Sequence, residues 1–137
     1  MYEFHGWIVL RYHTHDTNEL LEDEAYNNFL KYLEEVDGEK ISSIRRRNGL
    51  HSWTISGLHN HYSKYVLDIY KWVSENLPGS YGLLYVHNDE DFKGEDDNSN
   101  NFIVWKLARG KLTQEKDNYL SPYIPVVEDE YDPSRND

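Results

Sequence analysis

Residues 82–107 read GLLYVHNDEDFKGEDDNSNNFIVWKL, and they are the most informative part of the chain. Its two ends, residues 82–87 and 102–107, are rich in β-branched and aromatic residues, which predicts two strands. The loop between them carries a single cation, Lys93, among six acids. These acids are Asp89, Glu90, Asp91, Glu95, Asp96 and Asp97. Because two strands fix the ends of a flexible and strongly negative loop, the stretch favours a surface that meets a positively charged partner.

The chain before this stretch predicts a strand followed by a helix. Residues 4–12 are rich in aromatic and β-branched residues, which is typical of a strand. Apolar residues then recur at helical spacing over residues 21–36, and Gly38 ends the pattern. Asp16 and Thr17 are the predicted N-cap residues, because their side chains can accept hydrogen bonds from the first amides of a helix.

A hairpin and a second helix come next. Residues 40–47 and 50–58 flank Asn48-Gly49, and Asn-Gly between two strand-like runs favours a type I′ turn. The second helix carries its apolar stripe from Tyr62 to Val73 and ends at Pro78-Gly79.

The resulting order, β-α-β-β-α-β-β, predicts an α+β fold. We expect a single domain over residues 1–127, with a five-stranded, mostly antiparallel sheet and two helices on one face. Residues 120–127 are expected to pack as an extended segment, and residues 128–137 to form an acidic, flexible tail. Four residues are predicted to lie in the core because of their large apolar rings: Trp7, Trp53, Trp72 and Trp105.

Composition limits the classes of partner. The chain has 137 residues and a formal net charge of −11, from 25 acids and 14 bases. Such a charge repels nucleic acids and anionic membranes and attracts basic proteins. The basic cluster Arg45–Arg47 is interpreted as a solvated strand edge. The absence of cysteine excludes disulfides and thiolate metal sites, and the N-terminus does not resemble a signal peptide, so a cytoplasmic protein is expected.

A catalytic alternative rests on histidines. Two closely spaced pairs, His13 with His15 and His59 with His61, together with Asp16 offer ligands for a metal or groups for a small acid–base hydrolase. No H-E-x-x-H motif or nucleophile elbow accompanies them, so no cofactor and no catalytic residue are predicted.

The acidic loop itself has three interpretations. It partly matches a calcium-binding loop, but Lys93 stands where that pattern needs an oxygen ligand, and Asn100 stands where it needs a bidentate carboxylate. The two remaining interpretations stay open: a solvated loop that resists aggregation, and an arm that recognises a partner.

Four short motifs occur in a characteristic order along the chain. They are Phe4-His5-Gly6-Trp7, Tyr81–Tyr85 followed by Asp89-Glu90-Asp91, Phe102–Leu112, and Leu120–Pro125. With these motifs the chain resembles the immunity protein 7 family of bacterial polymorphic-toxin and contact-dependent inhibition systems.

The resemblance implies an α+β cytoplasmic protein that binds and neutralises one cognate toxin domain. Such toxins are frequently nucleases, whose active sites are basic because they hold phosphate. The family carries over no catalytic residues. The expected contacts are the six acids of the loop together with Tyr85 and Tyr123, while the oligomeric state is left open.

Overall fold

The computed structural model describes residues 1–15 and 18–137. The described chain forms these elements in order: β1 (Tyr2–Leu10), α1 (Glu19–Val36), β2 (Ser42–Arg47), β3 (Leu50–His59), α2 (Lys64–Asn76), β4 (Tyr81–Asn88), β5 (Phe92–Lys93), β6 (Asp96–Asp97), β7 (Phe102–Ala108), β8 (Lys111–Lys116) and α3 (Tyr123–Val126).

The main sheet has the order β2-β3-β1-β4-β7-β8, and every neighbouring pair is antiparallel. This confirms the α+β class, although the sheet has six strands where five were predicted. The additional strand is β8, which follows a tight turn at Arg109 and Gly110, both with positive φ. Its sequence, KLTQEK, is polar because an edge strand covers little of the core.

Both long helices pack on one face of the sheet, as predicted. Phe29 of α1 meets the indole of Trp53 edge-on, with ring centroids 5.9 Å apart. Tyr70 of α2 meets the same indole at 5.8 Å, and its hydroxyl donates to the Leu83 carbonyl at 2.8 Å. Gly6 makes this approach possible, because a Cβ at that position would lie 2.2 Å from the Tyr70 hydroxyl oxygen.

The tryptophans do not all lie in the core. Trp53 is fully buried, and Trp72 and Trp105 pack against the core while partly exposed. Trp7 is 39% exposed and lies on the sheet face opposite the helices, so its predicted core position is wrong. The reason is strand alternation: its neighbour in β1, Ile8, faces the helices and is buried.

The turn between β2 and β3 is as predicted, and α1 begins at a side-chain cap one residue after the two predicted ones. Asn48 and Gly49 both have positive φ, which confirms the predicted turn. Helix α1 begins after Asn18, whose side chain accepts hydrogen bonds from the Leu20 and Leu21 amides. The predicted N-cap residues Asp16 and Thr17 lie outside the described residues.

The C-terminal segment folds onto the sheet face that has no long helix. Residues 120–127, predicted to be extended, contain the short helical turn α3. Tyr123 stacks on His87 of β4 with ring centroids 4.3 Å apart. Residues 128–137 contain no helix or strand and are exposed, and their flexibility stays a prediction.

Candidate functional site

The acidic loop between β4 and β7 has a defined shape at its tip. Strands β5 and β6 form a two-stranded ribbon, in which Phe92 pairs with Asp97 and Lys93 with Asp96. Gly94 makes the turn with a positive φ. The loop therefore presents its charges from a small hairpin, where the sequence predicted a loop without structure.

All six acids of the loop are reachable from solvent. Asp91 is half-buried, and the five other carboxylates are exposed. Three of the six have partners within the chain. Asp89 pairs with the N-terminal amine, Glu90 lies 3.0 Å from Nδ1 of His61, and Asp97 accepts from the amide and hydroxyl of Ser99. Hydrogen bonds from the Ser99 hydroxyl and then its amide lower the pKa of Asp97, so this carboxylate stays ionised.

The other three carboxylates have no such partner. Within the described residues, the side chains of Asp91, Glu95 and Asp96 make no hydrogen bond or ion pair with the rest of the chain. These three carboxylates can therefore pair with groups of a partner without first breaking a contact within the described chain.

A cleft of about 500 Å³ lies beside the loop, on the helix face of the sheet. Its walls include Phe92 from the ribbon, Tyr62 before α2 and Trp105 from β7, with Glu90 and Asp91 at the loop side. Phe92 is 68% exposed although it is apolar. The arrangement places aromatic faces beside carboxylates, which suits a cationic side chain that can use both ion pairing and cation–π attraction.

The two tyrosines predicted to act with the acids lie elsewhere. Tyr85 is half-buried on the helix-free face, where burial and then the neighbouring Asp117 carboxylate raise the pKa of its hydroxyl. Tyr123 is held in its stack on His87. Neither tyrosine lines the cleft with Glu90 and Asp91, but the Tyr123 amide donates to the carbonyl of Asn100 at the end of the loop, so the joint role of the acids, Tyr85 and Tyr123 stays a prediction.

The histidines of the catalytic alternative are not brought together. His13 and His15 follow the end of β1, whereas His59 ends β3 and His61 comes two residues later. Because Leu10 pairs with His51 and Tyr2 with His59, the two pairs lie at opposite ends of the sheet, about 26 Å apart. Over residues 1–15 and 18–137, no three His, Asp or Glu side chains are grouped so that they could hold a metal ion.

Three of these four imidazoles, those of His13, His59 and His61, have a local partner. His13 accepts from the His15 amide at 3.1 Å, and His59 lies 3.0 Å from the Glu39 carboxylate. His5, another histidine of the sheet, bridges Glu3 and Ser56 with contacts of 2.8 and 2.6 Å. Ser56 is the direct cross-strand neighbour of His5, so sheet pairing alone explains that contact.

The sequence reasoning missed the aromatic wall of the cleft. Phe92 is the one apolar residue among residues 88–101, and an exposed aromatic side chain within an acidic loop is a signal of contact with a partner. It also missed the clamp that ties the loop to the C-terminal segment. Asn100 accepts from the Ile124 amide at 2.9 Å and donates to the Ile124 carbonyl at 3.1 Å.

Comparison with known proteins gives one match. A family model described as Immunity protein 7 matches residues 1–129 of the chain. Neither the curated proteins nor the solved structures contain a match. Within the described residues, no helix is long and apolar enough to cross a membrane.

Proposed function

Because the chain belongs to the Immunity protein 7 family, we propose that this immunity protein neutralises a bacterial nuclease toxin by stoichiometric binding, without catalysis. The observation that carries the proposal is the acidic loop joined to the aromatic cleft. The encounter takes place in the cytoplasm, where a toxin that cleaves nucleic acid would act. Neither nucleic acid nor membrane is a partner of the immunity protein itself, because its net charge of −11 opposes both.

The charge of the loop supports a basic target. A nuclease holds phosphate in a positively charged active site, and the carboxylates of residues 89–97 offer the complementary field. Complementary charge raises the rate of encounter and rejects partners of the wrong sign more than it adds affinity. The loop therefore accounts for fast and selective capture of the toxin.

Affinity requires groups that become buried. Phe92 and Tyr62 are exposed at the mouth of the cleft, and Trp105 lies within it. Aromatic anchors that lose solvent in a complex commonly supply most of its binding energy. We assign the cleft to an arginine or lysine of the toxin, whose charge meets Glu90 and Asp91 while its stem packs on the rings.

The test is the rate of association with the toxin domain encoded by the neighbouring gene. A variant with all six loop acids neutralised (Asp→Asn, Glu→Gln) is expected to associate about tenfold or more slowly at low salt. Its rate should approach that of the wild type at high salt, because screening removes the same attraction.

A matched control loses six exposed acids from the two long helices. These residues are Glu19, Asp23, Glu24, Glu34, Glu35 and Glu75. The change in net charge is identical, so only the position of the charge differs. Equal rates for the two variants would place the recognition surface outside the loop. Wild-type protein that neither binds nor inhibits the toxin would overturn the proposed function itself.

A further inference from the structure

The sheet face without long helices carries two depressions that meet at Thr54. One, of about 650 Å³, is lined by Trp7, Leu120 and Val127. The other, of about 550 Å³, contains Arg45 and Arg47. We call the pair the cross-sheet groove. It is continuous from an apolar end at the C-terminal segment to a cationic end at the edge strand β2.

The cationic end is unusual in this chain. Arg45 and Arg47 are exposed and face the same side of β2, because Ser52 and Leu50 are their partners in β3. In the described part of the chain, no carboxylate lies within ion-pair distance of either guanidinium. The chain has 25 acids for 14 bases, so two neighbouring arginines that have no acid partner among residues 1–15 and 18–137 are candidates for binding an external anion.

Edge protection alone does not explain this arrangement. Charges on an edge strand do discourage pairing between sheets, and Arg46 serves that purpose as well as its neighbours do. Arg45 and Arg47 differ from Arg46 because they share the second depression with Ser52, Thr54 and Tyr81. Hydroxyl groups beside paired guanidinium groups form a surface suited to a carboxylate.

The apolar end offers a second type of contact. Trp7 is 39% exposed and meets Tyr81 edge-on, with ring centroids 6.1 Å apart. Leu120 and Val127 form the opposite wall and are 43% and 48% exposed. Adjacent exposed apolar side chains of this size, bordered by polar residues, mark sites of protein contact.

We propose that the cross-sheet groove binds an extended segment of the same toxin, with an apolar side chain against Trp7 and carboxylates against Arg45 and Arg47. This inference rests on the proposed function. The toxin then meets an acidic surface at the loop and a basic surface at the groove, and opposite signs at two places fix its orientation. The cleft and the groove lie on opposite faces of the sheet, so a toxin that contacts both must extend around the end of the sheet where the loop leads into Phe102, which lines the apolar end of the groove.

The test compares two variants of the same strand that change the net charge equally. Arg45→Gln with Arg47→Gln removes two positive charges from the groove. Arg46→Glu makes the same total change on the opposite face of β2. Binding to the toxin domain encoded by the neighbouring gene is measured by calorimetry, and urea unfolding checks that both variants remain folded.

The double variant is expected to raise the dissociation constant about tenfold, while Arg46→Glu changes it by less than about threefold. Trp7→Ser should weaken binding as well, through the apolar end. Wild-type affinity in the double variant, with the wild type binding normally, overturns the groove and leaves the proposed function intact. If the wild type is a dimer in sedimentation and the double variant a monomer, a second copy occupies the groove and the inference is wrong.

Discussion

The acidic loop and the cross-sheet groove are opposite in charge and also in construction. The loop is a hairpin outside the sheet, and its carboxylates contact little of the core. The groove is made of residues that alternate with core residues along β1 and β3, so Thr54 lies between the buried Trp53 and Ile55. Substitutions in the loop should therefore have little effect on stability, whereas substitutions in the groove lie next to core residues and can also destabilise the fold.

A substitution in the core beneath the groove should change the stability of the fold most. Trp53→Ala should lower the free energy of unfolding by about 3–5 kcal/mol, because it removes a fully buried indole in contact with Phe29 and Tyr70. Trp7→Ala removes the same side chain from the exposed face and should cost less than half as much. Urea unfolding followed by circular dichroism measures both. Similar losses of unfolding free energy from the two substitutions would contradict the assignment of Trp53 to the core and of Trp7 to the exposed face.

An intermediate effect is expected at Asp117, which shapes the C-terminal wall of the groove. Its carboxylate is buried and accepts hydrogen bonds from the Tyr119 and Leu120 amides and the Ser121 hydroxyl. Burial alone would raise the pKa of Asp117, but these hydrogen bonds outweigh it and lower the pKa below its ordinary value. Asp117→Asn should therefore destabilise the fold by about 1–3 kcal/mol at neutral pH.

The sign of the pH dependence follows from that lowered pKa. The folded state binds the ionised carboxylate of Asp117 more favourably than the unfolded state does. The contribution of Asp117 to the free energy of unfolding is therefore complete above the unfolded pKa of about 3.9. It is lost as the pH falls through the lower folded pKa. The difference in unfolding free energy between wild type and Asp117→Asn should thus shrink below about pH 4. If this difference in unfolding free energy stays constant from pH 7 to pH 3, the ionised Asp117 carboxylate does not stabilise the fold.

Local patterns were sufficient to predict most of the framework. The alternation in β4 and β7, the Asn48-Gly49 turn and the apolar spacing of the two long helices each depend on a few neighbouring residues. Strand β8 was missed because a polar edge strand has no such pattern. The side of the sheet that Trp7 faces was also beyond sequence reasoning, since both faces of β1 carry aromatic residues and only tertiary packing decides which one is covered.

The acidic loop could be predicted from sequence and the groove could not, because only the residues of the loop are neighbours along the chain. The acids of the loop are contiguous in sequence, so their clustering is visible without a fold. The groove joins Trp7, Arg45 and Val127, which are distant in sequence and meet only through the pairing of β1, β3 and the C-terminal segment. The stack of Tyr123 on His87 is equally non-local, and it places Tyr123 on the helix-free face and not in the wall of the cleft.

A substitution at Lys93, for which we expect only a small change, tests whether the loop acts through its overall charge or through one contact. Lys93 is exposed in the ribbon, and Lys93→Gln makes the loop more negative by one charge. If the loop steers a basic toxin by its field, the association rate should rise by no more than about twofold at low salt and remain unchanged at high salt. Stopped-flow fluorescence with the toxin domain measures this. Lys93 also lines the cleft. Slower association of Lys93→Gln at every salt concentration would therefore show that the Lys93 ammonium contacts the partner directly. The loop would then bind its partner through individual short-range ion pairs, as the groove is proposed to do.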